Sequence, residues 1–349
     1  MAGSNPLTTM LLPAQIASAT STRFGSLSSA GLSPIEKGGS GRKFYRVQAG
    51  GLPLVVANYQ EDRPENAHFV AVAQFLEAKG VLAARVLEHD TEQRLIWMQD
   101  LGEIDLLTTQ TSAWEERRSW YLDALAVVGE LYRVPVEHGE GVLHQRPFDA
   151  GLYRWEQDYF FNHCLGDHFG WSPEQQQTLR ELPALSELAE RLGARAPVLI
   201  HRDFQSQNIM LSGGRSWLID FQGMRPGLAA YDVASLLCDP YAALPVFEQT
   251  ALLEAAPRAL GLDENAAECF FEDYTGCAIQ RLMQALGAYG NLGHRLGLPH
   301  FLDYIPLALR SLYLQLEHMP GLSPLADSVA DCLSMTEEIA ACGNAASSR

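Results

Sequence analysis

Four residues at fixed spacing carry the chemistry that this sequence can be expected to perform. The apolar run Val198-Leu199-Ile200 ends in His201-Arg202-Asp203, Asn208 follows, and Asp220 stands in Ile219-Asp220-Phe221. A carboxylate such as Asp203 can position a hydroxyl and take its proton. Asn208 and Asp220 offer an amide oxygen and a carboxylate, the hard donors that a magnesium ion prefers when it bridges phosphate oxygens. An aspartate in a loop is ordinarily a turn or cap residue. The joint spacing, framed by short apolar strands at 198–200 and 216–221, is what points to phosphoryl transfer to a hydroxyl. Downstream, Gly223 to Gly227 forms a turn into the apolar helix 228–238. Asp232 near its start reads either as a helix cap or as a buttress for the Asp203 loop, with His201 in a supporting place beside the base.

The elements that must position these residues fall into two groups. Ile35 to Lys37, Phe44 to Val47 and Leu54 to Ala57 read as strands, with Gly38-Gly39-Ser40-Gly41 and Ala49-Gly50-Gly51 as turns between them. Apolar positions in 65–79 recur at helical spacing, and strands follow at 86–88 and 94–98. Beyond residue 100 the texture turns helical: 111–132, 151–165, 173–193, 228–238, 246–260, 264–296, 299–318 and 322–341. Only 198–200 and 216–221 interrupt as strands. The expected fold class is therefore α+β, with a small β-rich lobe over 1–100 and a larger helical lobe over 101–349. A short helix near the N-terminus should lie on the first lobe, and the tail 343–349 should fray.

Composition narrows the function further. The 349 residues are 47% hydrophobic and 19% charged, a globular balance with a net charge of −17. Such a surface repels phosphate backbones and anionic membranes, so no nucleic-acid or membrane partner is expected. Six scattered cysteines include no C-x-x-C pair and read as reduced thiols in a cytoplasmic protein. Only three lysines occur, Lys37, Lys43 and Lys79, which matters for any chemistry that needs a lysine at one place.

The two-lobed plan, the H-R-D-F-x-x-x-N loop, Asp220-Phe221-Gln222 and Tyr231-Asp232-Val233-Ala234-Ser235-Leu236-Leu237 resemble the aminoglycoside phosphotransferase family of small-molecule kinases. Ser40 to Arg46, Ser235 to Tyr241 and Arg281 to Tyr289 are similar to its branch of bacterial anomeric kinases of N-acetylmuramate and N-acetylglucosamine, which serve cell-wall recycling. The resemblance spans residues 33 to 315. It implies a bilobal protein-kinase-like fold that uses ATP and Mg2+. Asp203 would be the base, and Asn208 and Asp220 the metal ligands. Gly38, Gly39, Ser40 and Gly41 would cover the nucleotide phosphates. Met98 to Leu101, with Gln99 and Leu101, would be the hinge that meets adenine.

One departure stands out. Kinases commonly hold the α- and β-phosphates with a strand lysine, yet Leu54-Val55-Val56-Ala57-Asn58 has none. Arg42 and Lys43 are expected to take over the phosphate contacts, and Arg46 is a third candidate. For the acceptor, the helix 153–161 carries aromatic faces such as Trp155 and carboxylates such as Asp158. These suit a sugar ring and its hydroxyls, or alternatively a packed core. The acceptor is expected to be a sugar, with the anomeric hydroxyl of an amino sugar as the leading reading. An aminoglycoside, an amino alcohol such as choline, or a nucleotide-binding pseudokinase without turnover are the alternatives. A protein kinase is disfavoured, because Gln205 stands where a lysine is usual and no A-P-E follows Asp220. A monomer or weak homodimer is expected.

Overall fold

The computed structural model describes residues 10–35, 42–60 and 64–347. The glycine turn Gly38 to Gly41 lies outside the described residues. The sheet forms from β1 (Ser33–Ile35), β2 (Lys43–Ala49), β3 (Leu52–Asn58), β4 (Val86–Asp90) and β5 (Leu95–Gln99), in the order β1-β2-β3-β5-β4 and antiparallel throughout. Its central hairpin pairs Ala49 with Leu52 across Gly50-Gly51, both at positive φ (56° and 82°). A two-residue hairpin loop of that hand demands such φ values at both positions. A Cβ on Gly50 would also meet the Phe24 carbonyl oxygen at 1.9 Å.

Alternation along the strands gives the sheet two apolar faces. Tyr45, Val47, Leu54, Val56, Leu95 and Trp97 pack under α1 (Pro13–Phe24), whose Ile16 and Ala19 complete a separate small core. The Trp97 indole N–H donates to Thr20 Oγ1 at 2.9 Å, so this buried donor is satisfied. The expected N-terminal helix is present and lies where the sequence suggested. The other face carries Phe44, Val55, Ala57, Ile96 and Met98, packed with α2 (Pro64–Ala78) into a large core that continues without a break into the helical part.

That helical part comprises α3 (Trp114–Tyr132), α4 (Ala150–Phe160), α5 (Pro173–Arg180), α6 (Pro183–Gly193), α7 (Ala229–Leu237), α8 (Val246–Leu260), α9 (Glu264–Gly290), α10 (Ile305–Leu316) and α11 (Ser323–Ser347). The long α9 is the centre, packed against α4, α7 and α10. Gly290 on α9 sits so close to the segment after α4 that a Cβ would meet the His163 carbonyl oxygen at 2.1 Å.

The structure differs from the sequence reading at several boundaries. The expected helix 173–193 is two helices, because Pro183 disfavours helical geometry at Leu182, which is extended at ψ 118°. The helix from 150 passes into a π-helical turn over Phe161–His168, and α9 into another over Asn291–Arg295. Two further strands were not expected, β7 (Ile209–Ser212) and β9 (Arg225–Gly227). They pair with β8 (Arg215–Leu218) and β6 (Val198–Ile200) respectively. Both are too short for periodicity to reveal. Finally, α11 continues through Ser347, where fraying was expected. No described helix is long and apolar enough to cross a membrane.

Candidate active site

The site is assembled by the two short antiparallel pairs in the helical part. In the β7–β8 hairpin Ile209 pairs with Leu218, and the Ile219 N–H donates to the Asn208 carbonyl at 3.0 Å. Asn208 and Asp220 are thereby drawn together at the open end of one hairpin. The Asn208 side-chain N–H donates to the Asp203 carbonyl at 2.9 Å, which ties the Asp203 loop to the same hairpin. His201 bridges the two segments again, its Nε2–H donating to the Ile219 carbonyl at 3.0 Å. Burial lowers the pKa of this imidazole more than its carboxylate neighbours raise it, so it remains neutral.

Asp232, in the first turn of α7, accepts the backbone N–H groups of His201 and Arg202 at 2.7 Å each, and the Tyr132 hydroxyl at 3.2 Å. Its carboxylate therefore holds the start of the loop from behind. Full burial pushes its pKa up to about 7, against the pull of these hydrogen bonds. Arg202 then adopts φ 76° and Asp220 φ 61°. A non-glycine residue in the left-handed region costs energy and is held there by its surroundings.

Asp203 is the carboxylate that this framework presents. Arg202 NH1 lies 2.6 Å from its Oδ2, and Arg281 NH2 lies 3.9 Å from its Oδ1. Burial alone would raise its pKa, but the Arg202 and Arg281 charges and the Arg202 hydrogen bond reverse the effect. Asp203 is held below the ordinary carboxylate value and so stays ionised, as a proton acceptor must be.

On the sheet side, Arg42 is buried and lies against the rings of Phe44 and Phe69, 5.6 and 5.5 Å from their centroids. Its NH2 reaches Asp220 Oδ1 at 3.0 Å and its NH1 reaches Gln222 Oε1 at 3.3 Å. Lys43 is exposed and, by strand alternation, belongs to the opposite face. The structure thus places these two candidates on opposite faces. Arg46 shares the inner face, but its guanidinium binds both Asp100 oxygens, Glu103 and the Gly102 carbonyl. It fastens the connection after β5. In that connection the Gln99 N–H donates to the Arg85 carbonyl at 2.9 Å, and the Leu101 side chain is buried in the large core.

The donor set beside Asp203 fits magnesium. The Asn208 amide oxygen and the partly exposed Asp220 carboxylate are hard oxygen ligands. Among the described residues no three His, Cys, Asp or Glu side chains converge as a metal cage. Two protein ligands suffice for magnesium, which keeps waters and takes the rest of its shell from substrate phosphates.

The helix expected to meet the acceptor, α4, begins at Asp149, whose carboxylate caps it by accepting the Leu152 N–H at 2.7 Å. Trp155 is 50% exposed and stacks on Tyr159, with ring centroids 5.0 Å apart. Asp158 is exposed and paired with Arg180. The buried face of α4 instead carries Glu156, which accepts the Tyr231 hydroxyl at 2.9 Å. Burial pushes its pKa up to about 7, although Arg202, Arg281 and Arg225 pull it down.

The profile of the phosphotransferase enzyme family matches residues 31–271, more than half of the sequence. The chain belongs to that family. It is similar to an N-acetylmuramate/N-acetylglucosamine kinase of Pseudomonas aeruginosa, at 28% identity over 315 residues, covering 88% of this chain and 90% of the relative. In fold it is similar to a choline/ethanolamine kinase family protein from Mesorhizobium loti, with a TM-score of 0.62 at 14% identity over 91% of this chain and 99% of that one. It is also similar to the ADP-bound aminoglycoside phosphotransferase APH(2'')-Ib, with a TM-score of 0.59 at 14% identity over 86% and 98% of the two chains. The fold is thus kinase-like, and this phosphotransferase is a small-molecule kinase.

Sequence reasoning passed over several residues that surround Asp203 in this phosphotransferase: Glu156, Arg225, Tyr231 and Arg281. One signal was available for Arg281, the single charge in the otherwise uncharged and mostly apolar run Cys277 to Leu286. Arginine inside such a run is buried only with partners, and here its Nε donates to Ser235 Oγ at 2.9 Å.

Proposed function

We propose that this kinase transfers the γ-phosphoryl group of ATP to the anomeric hydroxyl of an amino sugar of the N-acetylmuramate/N-acetylglucosamine type. The observation that carries the reading is the single hairpin end that gathers Asn208 and Asp220 next to the Asp203 loop. The full-length similarity to a kinase of those sugars supports the acceptor. Asp203 orients the hydroxyl and takes its proton. The hydroxyl oxygen forms a bond to the γ-phosphorus, the bond to the β–γ bridging oxygen breaks, and ADP leaves with that electron pair. Asn208 and Asp220 would hold magnesium, which supplies charge neutralisation on the phosphates when bound. His201 and Asp232 hold the loop in place.

Arg42 supplies the cation that the strand lysine would give, at the phosphates beside Asp220. The glycine turn Gly38 to Gly41 and the hinge at Gln99 and Leu101 complete the nucleotide site. The exposed faces of Trp155 and Asp158 form the rim on the acceptor side. We take the lobe boundary at residue 100, the cytoplasm as the setting, and a monomer or weak homodimer as the assembly.

The test is ATP consumption by the purified protein with N-acetylmuramate, N-acetylglucosamine, an aminoglycoside and choline as acceptors. Turnover confined to the N-acetylated sugars is expected. Turnover only with a cationic acceptor would sink the reading. Tight magnesium-ATP binding with no turnover would indicate a pseudokinase, which the intact Asp203, Asn208 and Asp220 argue against.

A further inference from the structure

Three arginines gather around Asp203, although the chain as a whole carries a net charge of −17. Two of them are accounted for. Arg202 pairs with Asp203. Arg281 spends Nε on Ser235 and NH1 on Gln284, with NH2 turned toward Asp203. Arg225 differs. Only 8% of its surface is exposed, yet among the described residues it makes no ion pair. Its Nε donates to the Gly223 carbonyl at 3.0 Å and its NH2 to Gln145 Oε1 at 3.2 Å, both neutral acceptors. Its guanidinium lies over the Phe148 ring, 5.5 Å from the centroid. The acidic groups Asp203 and Glu156 act on it only through space, without an ion pair, and a buried cation with no direct partner is costly.

The fold fixes where this charge lies. Arg225 on β9 pairs with Ile200 on β6, one residue before the catalytic loop begins. Gly223, which it holds, runs past Asp203: a Cβ there would be 3.6 Å from Asp203 Oδ2. The other contacts of Arg225 are to the loop before α4, in the helical part. The charge therefore lies on the acceptor side of Asp203, whereas Arg42 reaches Asp220 from the sheet side. An anionic group on the acceptor would be the missing partner.

We propose that Arg225 is the specificity-determining residue for an acidic acceptor sugar and receives its carboxylate. This rests on the reading under Proposed function. Of the two sugars there, N-acetylmuramate differs from N-acetylglucosamine by a lactyl ether that ends in a carboxylate. A guanidinium fork matches a carboxylate better than an ammonium does. The same charge opposes the cationic aminoglycosides and choline.

The experiment measures kcat/KM for both sugars and for N-acetylmuramate amide, in the wild type and in Arg225→Gln. The wild type is expected to prefer N-acetylmuramate over its amide. In Arg225→Gln the muramate-to-glucosamine ratio should fall about ten- to hundredfold, the scale of a charged hydrogen bond. The amide should lose no more in the variant than N-acetylglucosamine does, as a shared interaction requires. Equal losses for both sugars in Arg225→Gln would overturn the proposal and assign the arginine to the transferred phosphate or to the fold. Should the variant fail to fold, undiminished kcat/KM of the amide on the wild type alone overturns it. Turnover of neither sugar by the wild type would instead refute the functional reading, and this assignment with it.

Discussion

Replacing Arg42 with methionine separates the nucleotide role of this arginine from its packing. Methionine keeps an unbranched stem between Phe44 and Phe69 and deletes the charge with its hydrogen bonds to Asp220 and Gln222. Arg42 NH2 lies 3.0 Å from Asp220 Oδ1, with its own side chain 4% exposed and that of Asp220 41% exposed. A half-exposed pair of this kind contributes about 1 kcal/mol at most. Its loss should free Asp220 and tighten binding of the metal alone by up to about fivefold. A charged hydrogen bond to phosphate is larger, about 1.5–3 kcal/mol. The ATP KM at saturating acceptor and magnesium should therefore rise roughly tenfold or more, in the direction opposite to the metal effect. Steady-state ADP release gives the KM, and calorimetric titration with magnesium gives the metal affinity. Lys43→Ala, on the opposite face, should leave both within about twofold (about 0.4 kcal/mol). An ATP KM for Arg42→Met within twofold of wild type would show that the missing lysine is not replaced from this strand.

Three other outcomes are expected. Asp203→Asn should lower kcat by about 10²- to 10⁴-fold, with magnesium-ATP affinity by calorimetry within a few-fold; near-normal kcat would remove Asp203 from the base role. Glu156, with its pKa raised from 4.5 to about 7 by burial, favours the fold when protonated, so its contribution is complete below its ordinary value and is lost as pH rises through about 7. Glu156→Gln, which does not titrate, should gain about 2 kcal/mol on the wild type between pH 5.5 and 7.5 in urea unfolding, and an unchanged gap would mean that Glu156 is not destabilised by burial. Gly290→Ala gains helix propensity but places a Cβ 2.1 Å from the His163 carbonyl oxygen; the net loss should be about 1–3 kcal/mol, seen as a lower urea midpoint, and a raised midpoint would refute the close approach.

The reach of the sequence ended where local pattern gave way to tertiary placement. The hairpin around Gly50-Gly51 and the helices α2, α3 and α8 were legible because periodicity and turn residues agree there. The loop from His201 to Asn208, with Asp220 beyond it, was legible as a spacing. The strands β7 and β9 were not, since three or four residues carry no readable period, yet these are the pieces that bring Asn208 to Asp220 and Arg225 to Ile200. Trp155 and Asp158 drew notice as polar and aromatic residues on α4. Glu156 and Gln157, between them in sequence, are the members of that stretch that the fold turns inward, and helical spacing alone does not say which face meets the site.

Arg42 shows the same limit most sharply. Alternation puts Arg42, Phe44 and Arg46 on one face of β2, but not which face meets the cleft. The structure decides through the neighbouring strand. Phe44 pairs with Ala57, and Ala57 belongs to the core beneath α2 rather than to the one beneath α1. The inward positions of β3 are thus Val55 and Ala57, apolar and short where a kinase strand commonly carries lysine. A small residue there leaves room for a longer side chain from the adjoining strand, and Arg42 lies against Phe69 of α2 on its way to Asp220. Under the proposed nucleotide role, the cation comes from the adjoining strand's start and not from β3. Arg46, two pairs further along the same face, meets Asp100 instead and fastens the connection to the helical part. The two arginines at and just before β2 thus reach different partners, Arg42 the Asp220 carboxylate and Arg46 the connection after β5.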